Sequence, residues 1–167
     1  MKNFLIILFI MTFISVDIKA QRKVKSKSFN TVLNIMLNHD VKEITVSEAQ
    51  KNSAILLDAR EKNEYDVSHI KNAVYVGYDN FNISKLYSIP KNKEIIIYCS
   101  IGKRSEKITE KLIKAGYTNV CNLYGGIFEW VNEGNSVVDL HNRNTNKVHA
   151  YGRFWSQFLD KGEKVYN

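Results

Sequence analysis

Apolar and polar positions alternate along the middle of the chain in blocks that predict strands followed by helices. Short apolar runs bounded by turn residues are typical of buried strands, whereas apolar residues three and four positions apart are typical of amphipathic helices. The expected strands lie at residues 43–46, 53–58, 72–76, 94–98 and 119–123. The expected helical segments begin near Ser47 and lie at residues 61–67, 84–87, 105–116 and 127–133. This order predicts an α/β fold, a parallel sheet flanked by helices on both faces.

Two further helices are expected outside this alternating region. Ser28 is placed to cap the first, whose apolar face is formed by Phe29, Val32, Leu33, Met36 and Leu37. The second belongs to a C-terminal extension at residues 140–167, and its stripe consists of Tyr151, Phe154, Trp155, Phe158 and Leu159. We expect this aromatic helix to dock on the domain. The alternative is contact with a membrane surface or a partner helix, because such a stripe is costly to leave in water.

The first 20 residues follow a different pattern. Lys2 precedes an almost wholly apolar run at residues 4–16, and Ala20 is a small residue immediately before Gln21. This arrangement predicts a secretory signal peptide over residues 1–20 and a secreted or periplasmic mature protein. The alternative is a retained N-terminal membrane anchor, although the run is shorter than the roughly 20 residues that span a bilayer.

Length and charge limit what the remaining chain can be. The 167 residues are 44% hydrophobic and include a single Pro, which suits one folded core. Lys and Arg number 24 against 17 Asp and Glu, and part of this excess lies in a basic leader at residues 21–43 that also contains the first helix. Because no aromatic residues alternate with the cations of residues 22–27, we predict that these residues form a solvated segment and that the protein has no nucleic-acid partner.

The chain has two cysteines, Cys99 and Cys121, which is too few for a disulfide framework in an exported protein. Cys121 falls within an expected strand and is predicted to be a buried apolar residue, with a disulfide or a resolving thiol as alternatives. The histidines at positions 39, 141 and 149 have no metal-ligand spacing to the cysteines. We therefore predict neither a metal nor a cofactor.

Cys99 is the strongest candidate for chemistry. It follows the apolar run at residues 94–98, so we expect its side chain at the mouth of a loop that joins a strand's carboxyl end to a helix. Loop N–H groups, the helix N-terminus and the cations Lys103 and Arg104 should favour the reactive thiolate. The predicted anion-binding loop consists of Ser100, Ile101, Gly102, Lys103, Arg104 and Ser105. Arg104 is expected either to point inward and grip a sulfonate or to point outward and pair with Glu106 or solvent.

The spacing within this loop bears on the reaction class. Cysteine-dependent phosphatases place five residues between the cysteine and an arginine, whereas four separate Cys99 from Arg104. The resulting anion site should be smaller, which favours sulfur transfer and leaves a phosphatase as an alternative. A thiol oxidoreductase is disfavoured because the chain lacks a Cys-x-x-Cys pair.

Four segments resemble the signatures of single-domain rhodaneses, in the order and spacing of that family. They are LLDAR at residues 56–60, EYDVSHIKNA at 64–73, YCSIGKRS at 98–105 and NLYGGIFEW at 122–130. The resemblance covers about residues 44–139 and implies the rhodanese fold. One departure is Ser68, where the family commonly has Gly.

The same resemblance implies an activity and a set of site residues. It makes Cys99 the carrier of sulfane sulfur, as a persulfide, from a small anionic donor such as thiosulfate, or from a persulfide, to a thiol, cyanide or protein acceptor. Asp58 and Arg60 are then expected at the pocket rim, although a strand-end turn with a salt bridge from Arg60 to Glu61 or Glu64 would also explain them. The alternative function is a sulfur-carrier module without turnover, which would need the same cysteine.

Overall fold

The computed structural model of the protein describes residues 24–166. The predicted signal peptide at residues 1–20 lies outside the described residues. Within residues 24–166, no helix is both long enough and apolar enough to span a membrane.

A five-stranded parallel sheet forms the centre of the molecule. Its strands, in chain order, are β1 (Glu43–Ile44), β2 (Ile55–Asp58), β3 (Val74–Tyr75), β4 (Ile95–Tyr98) and β5 (Val120–Leu123). Their order across the sheet is β1-β5-β4-β2-β3, which places β4 in the middle. All four residues of β4 are buried, as expected for a continuous apolar run in a central parallel strand. The predicted parallel sheet is confirmed.

Helices cover both faces of this sheet, as predicted. They are α1 (Lys27–Met36), α2 (Val46–Ala49), α3 (Lys62–Val67), α4 (Lys103–Lys114) and α5 (Gly126–Asn132). Successive residues of β4 point to opposite faces, so Ile95 and Ile97 join one apolar cluster with α4, whereas Ile96 joins another with α1, α2 and α5. A short 3-10 helix at Ile83–Leu86 also contributes to the α4 side.

Two helix starts differ from the predicted ones. Ser26, not Ser28, caps α1, because its hydroxyl oxygen accepts the Phe29 N–H at 3.3 Å. Thr45, not Ser47, caps α2 and forms a reciprocal capping box with Glu48. Since Thr45 leaves the sheet to cap this helix, the strand predicted at residues 43–46 ends at Ile44.

The end of the predicted domain and the C-terminal extension together form two small sheets. Strand β6 (Val137–Val138) pairs antiparallel with β7 (Asn144–Thr145), and β8 (Lys147–His149) pairs parallel with β9 (Glu163–Val165). These four strands were not predicted, because each has only two or three residues and carries little periodic signal.

The aromatic segment of the C-terminal extension docks on the domain as predicted, but the prediction that it forms a long helix is wrong. Only Trp155–Phe158 is helical, as a 3-10 turn. The Asn132 side chain of α5 donates to the Phe158 carbonyl and accepts the Asp160 N–H. In a longer helix these two backbone groups would form hydrogen bonds within the helix. The Phe158 ring is stacked on the Phe29 ring, with their centroids 5.1 Å apart. Residues from both ends of the described chain therefore share one core with the sheet.

We predict that Phe29→Ala lowers the free energy of unfolding by about 3–5 kcal/mol, because it removes a fully buried ring and its stacking contact with Phe158. Ile35→Ala on the same helix is the control, since Ile35 is 77% exposed and should change stability by less than about 0.5 kcal/mol. Urea unfolding of the two variants measures both values. Equal effects would show that α1 is not part of the core.

Candidate active site

Cys99 lies where the central strand β4 ends and α4 begins. Gly102 adopts a φ of +110°, which glycine reaches without a side-chain clash, and it serves as the N-cap of α4. Its N–H donates to Cys99 Sγ over 3.2 Å. The predicted strand-to-helix loop is present, but the expected location of the side chain at the loop mouth is wrong. Cys99 is only 1% exposed, because the loop folds back over its sulfur.

The start of α5 supports this loop from beneath. The Ile127 N–H donates to the Cys99 carbonyl at 2.9 Å, and the Phe128 N–H donates to the Ser100 carbonyl at 3.1 Å. Gly126 allows this approach, because a Cβ at that position would lie 2.3 Å from the Cys99 carbonyl oxygen. The sequence predicts Gly125 and Gly126 as a tight turn before a helix, and both adopt positive φ there.

Ser105 and Ile101 belong to the predicted anion-binding loop, but their side chains are buried and contact other parts of the protein. The Ser105 hydroxyl lies 2.7 Å from the Asn122 side-chain oxygen and 3.1 Å from the Gly102 carbonyl oxygen. Asn122 also donates to that carbonyl at 3.0 Å. Ile101 is buried in the core cluster on the α5 side of the sheet. Ser105 and Ile101 therefore contribute backbone and shape to the loop, and sequence reasoning missed Asn122, whose signal is a polar residue in an apolar strand.

Arg104 takes neither of the two expected positions. Its guanidinium forms a bidentate salt bridge with Glu64 of α3, with N–O distances of 2.5 and 2.7 Å. The guanidinium also donates to Ser100 Oγ at 3.0 Å. The Ser100 hydroxyl donates in turn to Glu64 at 2.9 Å. Sequence reasoning did not place Glu64 in the site, and its available signal is its position three residues after Glu61, at the start of a helix.

The charge state of Glu64 follows from this pairing. Burial raises the pKa of its carboxyl group, but the hydrogen bonds and the charge of Arg104 outweigh burial and hold the pKa below its ordinary value of 4.5. Glu64 is therefore ionised at neutral pH. It neutralises Arg104 directly beside the Cys99 loop.

Lys103 is directed towards the end of α1. Its ammonium group contacts Asn38 at 3.0 Å and Glu106 at 3.3 Å. Glu106 is fully buried, and its other oxygen accepts the N–H groups of Asn38 and His39 at 2.9 Å. The expectation that Lys103 and Arg104 both face a bound anion is corrected, because each cation is held by a carboxylate. Arg104 still lies close enough to Cys99 for the two groups to interact electrostatically, and the N-terminus of α4 adds to the positive potential at the loop.

Asp58 and Arg60 do not form a rim. Both are fully buried, and the Arg60 guanidinium donates to Asp58 at 2.6 Å and to the Ser68 carbonyl at 2.7 Å. The Arg60 guanidinium carbon lies 5.7 Å from the centre of the Tyr98 ring. A buried charge needs a partner, and the salt bridge of Arg60 is with Asp58 instead of Glu61 or Glu64, while its Nη1 is buried without a hydrogen-bond partner. Ser68 has an extended backbone with a φ of −171°, so a side chain there causes no strain.

The remaining candidates have structural roles. Cys121 is buried in β5, where burial raises the pKa of its thiol, and neither Cys99 nor Cys121 forms a disulfide. His69 stacks on Tyr65 with ring centres 4.0 Å apart and exchanges backbone hydrogen bonds with Val138. Over residues 24–166, no group of three or more His, Cys, Asp or Glu side chains could hold a metal ion.

We predict that Gly126→Ala destabilises the protein by more than Gly116→Ala. Both glycines have positive φ, so each alanine carries a strain of about 1–2 kcal/mol. Only at Gly126 does the new Cβ collide with backbone, whereas nothing lies within 4 Å at Gly116. Urea midpoints measure the difference, and equal midpoints would contradict the described support of the loop by α5.

We predict that Glu64→Gln lowers the free energy of unfolding at pH 7 by about 3 kcal/mol, since it leaves the partly buried Arg104 without its counter-charge. The folded-state pKa of Glu64 is depressed, so the stabilisation exists at neutral pH and is lost as the pH falls through that pKa. The gap between wild type and variant should therefore narrow on acidification. Glu110→Gln is the control, because its pair with Lys107 is partly exposed. A gap that does not change with pH would contradict this account.

Comparison with known proteins places this geometry in a family. Residues 42–133, more than half of the chain, match the rhodanese-like domain family. The chain is 30% identical over 129 residues to the thiosulfate:glutathione sulfurtransferase of Saccharomyces cerevisiae, covering 70% of this chain and 85% of that relative. It is 36% identical over 86 residues to the tRNA uridine(34) hydroxylase of Aster yellows witches'-broom phytoplasma, covering 48% of this chain but only 28% of that relative's length.

Solved structures agree with this assignment. A rhodanese-like domain protein from Staphylococcus aureus superposes with a TM-score of 0.50 at 31% identity, covering 56% of this chain and 94% of that one. The thiosulfate sulfurtransferase from Pseudomonas aeruginosa, at 20% identity, shares the fold with a TM-score of 0.56, covering 79% of this chain and 26% of that one. The chain therefore belongs to the rhodanese-like domain family, which includes sulfurtransferases.

Proposed function

We propose that this protein is a sulfurtransferase in which Cys99 carries sulfane sulfur from thiosulfate or a persulfide to a thiol. One observation carries the proposal: Cys99 Sγ accepts the Gly102 N–H at the N-terminus of α4, at the carboxyl end of the central strand. A thiolate, and the persulfide that would replace it, are both stabilised by such a position.

The helix N-terminus supports binding of an anionic donor. The N-cap of α4 is a glycine and has no side chain to occupy the N–H groups of the first turn. Glu64 and Glu106 pair with Arg104 and Lys103, so these N–H groups and the helix dipole supply an attraction for a donor that does not depend on a free cation. The two cations position the loop through their carboxylate partners.

The reaction has two covalent steps. The Cys99 thiolate attacks the outer sulfur of thiosulfate, the sulfur–sulfur bond of thiosulfate breaks, and sulfite leaves with the bonding electron pair. Cys99 then carries a persulfide. An acceptor thiolate attacks the terminal sulfur of this persulfide, so the acceptor gains the sulfur and the Cys99 thiolate is released. Sulfite needs little protonation as it leaves, so this step does not require a general acid.

Thiosulfate and a small thiol are the proposed donor and acceptor. The yeast relative, which this chain matches over most of its length, is a thiosulfate:glutathione sulfurtransferase. The tRNA hydroxylases match this chain over a minor part of their own length, so they support the domain and not its substrate. We also propose that the mature protein is exported, on the signal-peptide pattern of residues 1–20.

We predict that Cys99→Ser reduces sulfite release from thiosulfate, measured with excess glutathione, to the uncatalysed rate, because the nucleophile is lost. Cys121→Ser is the matched control. It should keep the rate within about twofold, although burying a hydroxyl costs roughly 1–3 kcal/mol of stability. Near wild-type release by Cys99→Ser would overturn the assignment. A Cys99 persulfide that forms without multiple turnovers would indicate the sulfur-carrier alternative.

A further inference from the structure

Tyr151 belongs to the C-terminal extension and contacts the Cys99 loop from outside the family-matched region of residues 42–133. Its ring centre lies 4.6 Å from the guanidinium carbon of Arg104, which is the geometry of a cation–π contact. Arg104 in turn donates to Ser100, the residue that follows Cys99. Tyr151 therefore stacks on a residue that holds the loop in place.

The backbone at Tyr151 is held in a strained turn. Its φ is +60°, which is rare for a bulky residue. The Gly152 N–H donates to the Ala150 carbonyl at 2.6 Å, so residues 150–152 form a γ-turn with positive φ at its centre. The Tyr151 N–H donates to His149 Nδ1 at 3.1 Å. Such strain persists where surrounding structure enforces it, and it is often found at functional sites.

Buried residues on both sides of this turn fix its position. Val148 and Ala150 are fully buried, and β8 packs against α3, the helix that carries Glu64. On the far side of the turn, Phe158 is stacked on Phe29 of α1. The extension therefore presents the Tyr151 ring over Arg104 from two anchored flanks.

Solvent access to Cys99 is very small in this arrangement. Cys99 is 1% exposed, and Ser100 and Glu64 are also buried. Tyr151 is 51% exposed and its ring packs on Arg104, so the ring forms part of the protein surface on the Arg104 side of the loop. A reactant that approaches the loop from this side meets the ring first.

We propose that Tyr151 is a specificity-determining residue that limits access to Cys99 to small reactants. If Cys99 transfers sulfur as proposed above, this limit on access selects a low-molecular-weight thiol over a protein thiol as the sulfur acceptor. A protein acceptor would have to displace the ring or the whole turn before its sulfur could reach Cys99. A small donor such as thiosulfate, or a flexible thiol, needs a much smaller opening.

The test compares how fast Cys99 is alkylated by a small and by a bulky reagent. Iodoacetamide is the small probe and fluorescein maleimide is the bulky one, and modification of the Cys99 peptide is followed by mass spectrometry. We expect Tyr151→Gly to raise the rate constant for the maleimide by about tenfold and that for iodoacetamide by less than about twofold. Glycine is the chosen replacement because it adopts the φ of +60° without strain and so preserves the turn.

Two control variants make the result specific. Tyr151→Phe keeps the ring and should react like wild type. Tyr166→Ala removes a tyrosine of equal exposure, 51%, near the end of the chain, and should also react like wild type. An equal rise with both reagents would show general opening of the loop and would overturn the proposal. Unchanged rates with both reagents would also overturn it.

A second measurement separates this proposal from the proposed function. Alkylation reports access to the thiol whether or not Cys99 transfers sulfur. If sulfite is released, Tyr151→Gly should lower the ratio of kcat/KM for glutathione to that for reduced thioredoxin by about tenfold. An unchanged ratio would overturn the acceptor selection. If no variant releases sulfite, the proposed function fails, and the alkylation rates alone decide whether Tyr151 limits access.

Discussion

Two backbone hydrogen bonds from the start of α5 hold the Cys99 loop in place, and the rest of the site depends on them. They fix the carbonyls of Cys99 and Ser100 and require a glycine at position 126, where a Cβ would collide with the loop. With the loop fixed from beneath, Gly102 can turn its N–H towards the Cys99 sulfur and begin α4. Two neighbouring strands of the sheet therefore lead into the site. Strand β4 ends at Cys99, and β5 leads into α5, whose N–H groups support the loop.

Charge neutralisation is the second constraint on this loop. Three buried carboxylates, Asp58, Glu64 and Glu106, are paired with Arg60, Arg104 and Lys103. Because these pairs are close to neutral, the backbone of α4 adds to the positive potential next to Cys99, beside the remaining interaction between Arg104 and Cys99. Of the two cations next to Cys99, Lys103 pairs with Glu106 three residues along the chain, whereas Arg104 holds the loop to Glu64, 40 residues away.

The sequence predicts the sheet, the order of its helices and the Cys99 loop well, because apolar runs and glycines are local signals. The prediction fails where the position of a side chain depends on a partner far away in sequence. Arg104 pairs with Glu64, 40 residues away in sequence, and Asn132 ends the aromatic turn by binding its backbone. Neither partner can be identified from spacing alone. The burial of Asp58 and Arg60 was missed for a different reason: their pairing is local, but two charges beside a strand end look exposed until that pairing is known.

The central claim is that Cys99 receives sulfane sulfur. Its most direct test is the mass of the intact protein and of its cysteine peptides after incubation with thiosulfate, under conditions without reductant. The account predicts the added mass of one sulfur atom on the peptide that carries Cys99, and its removal by excess glutathione. An unmodified Cys99 peptide, or added sulfur only on the peptide that carries Cys121, would contradict it.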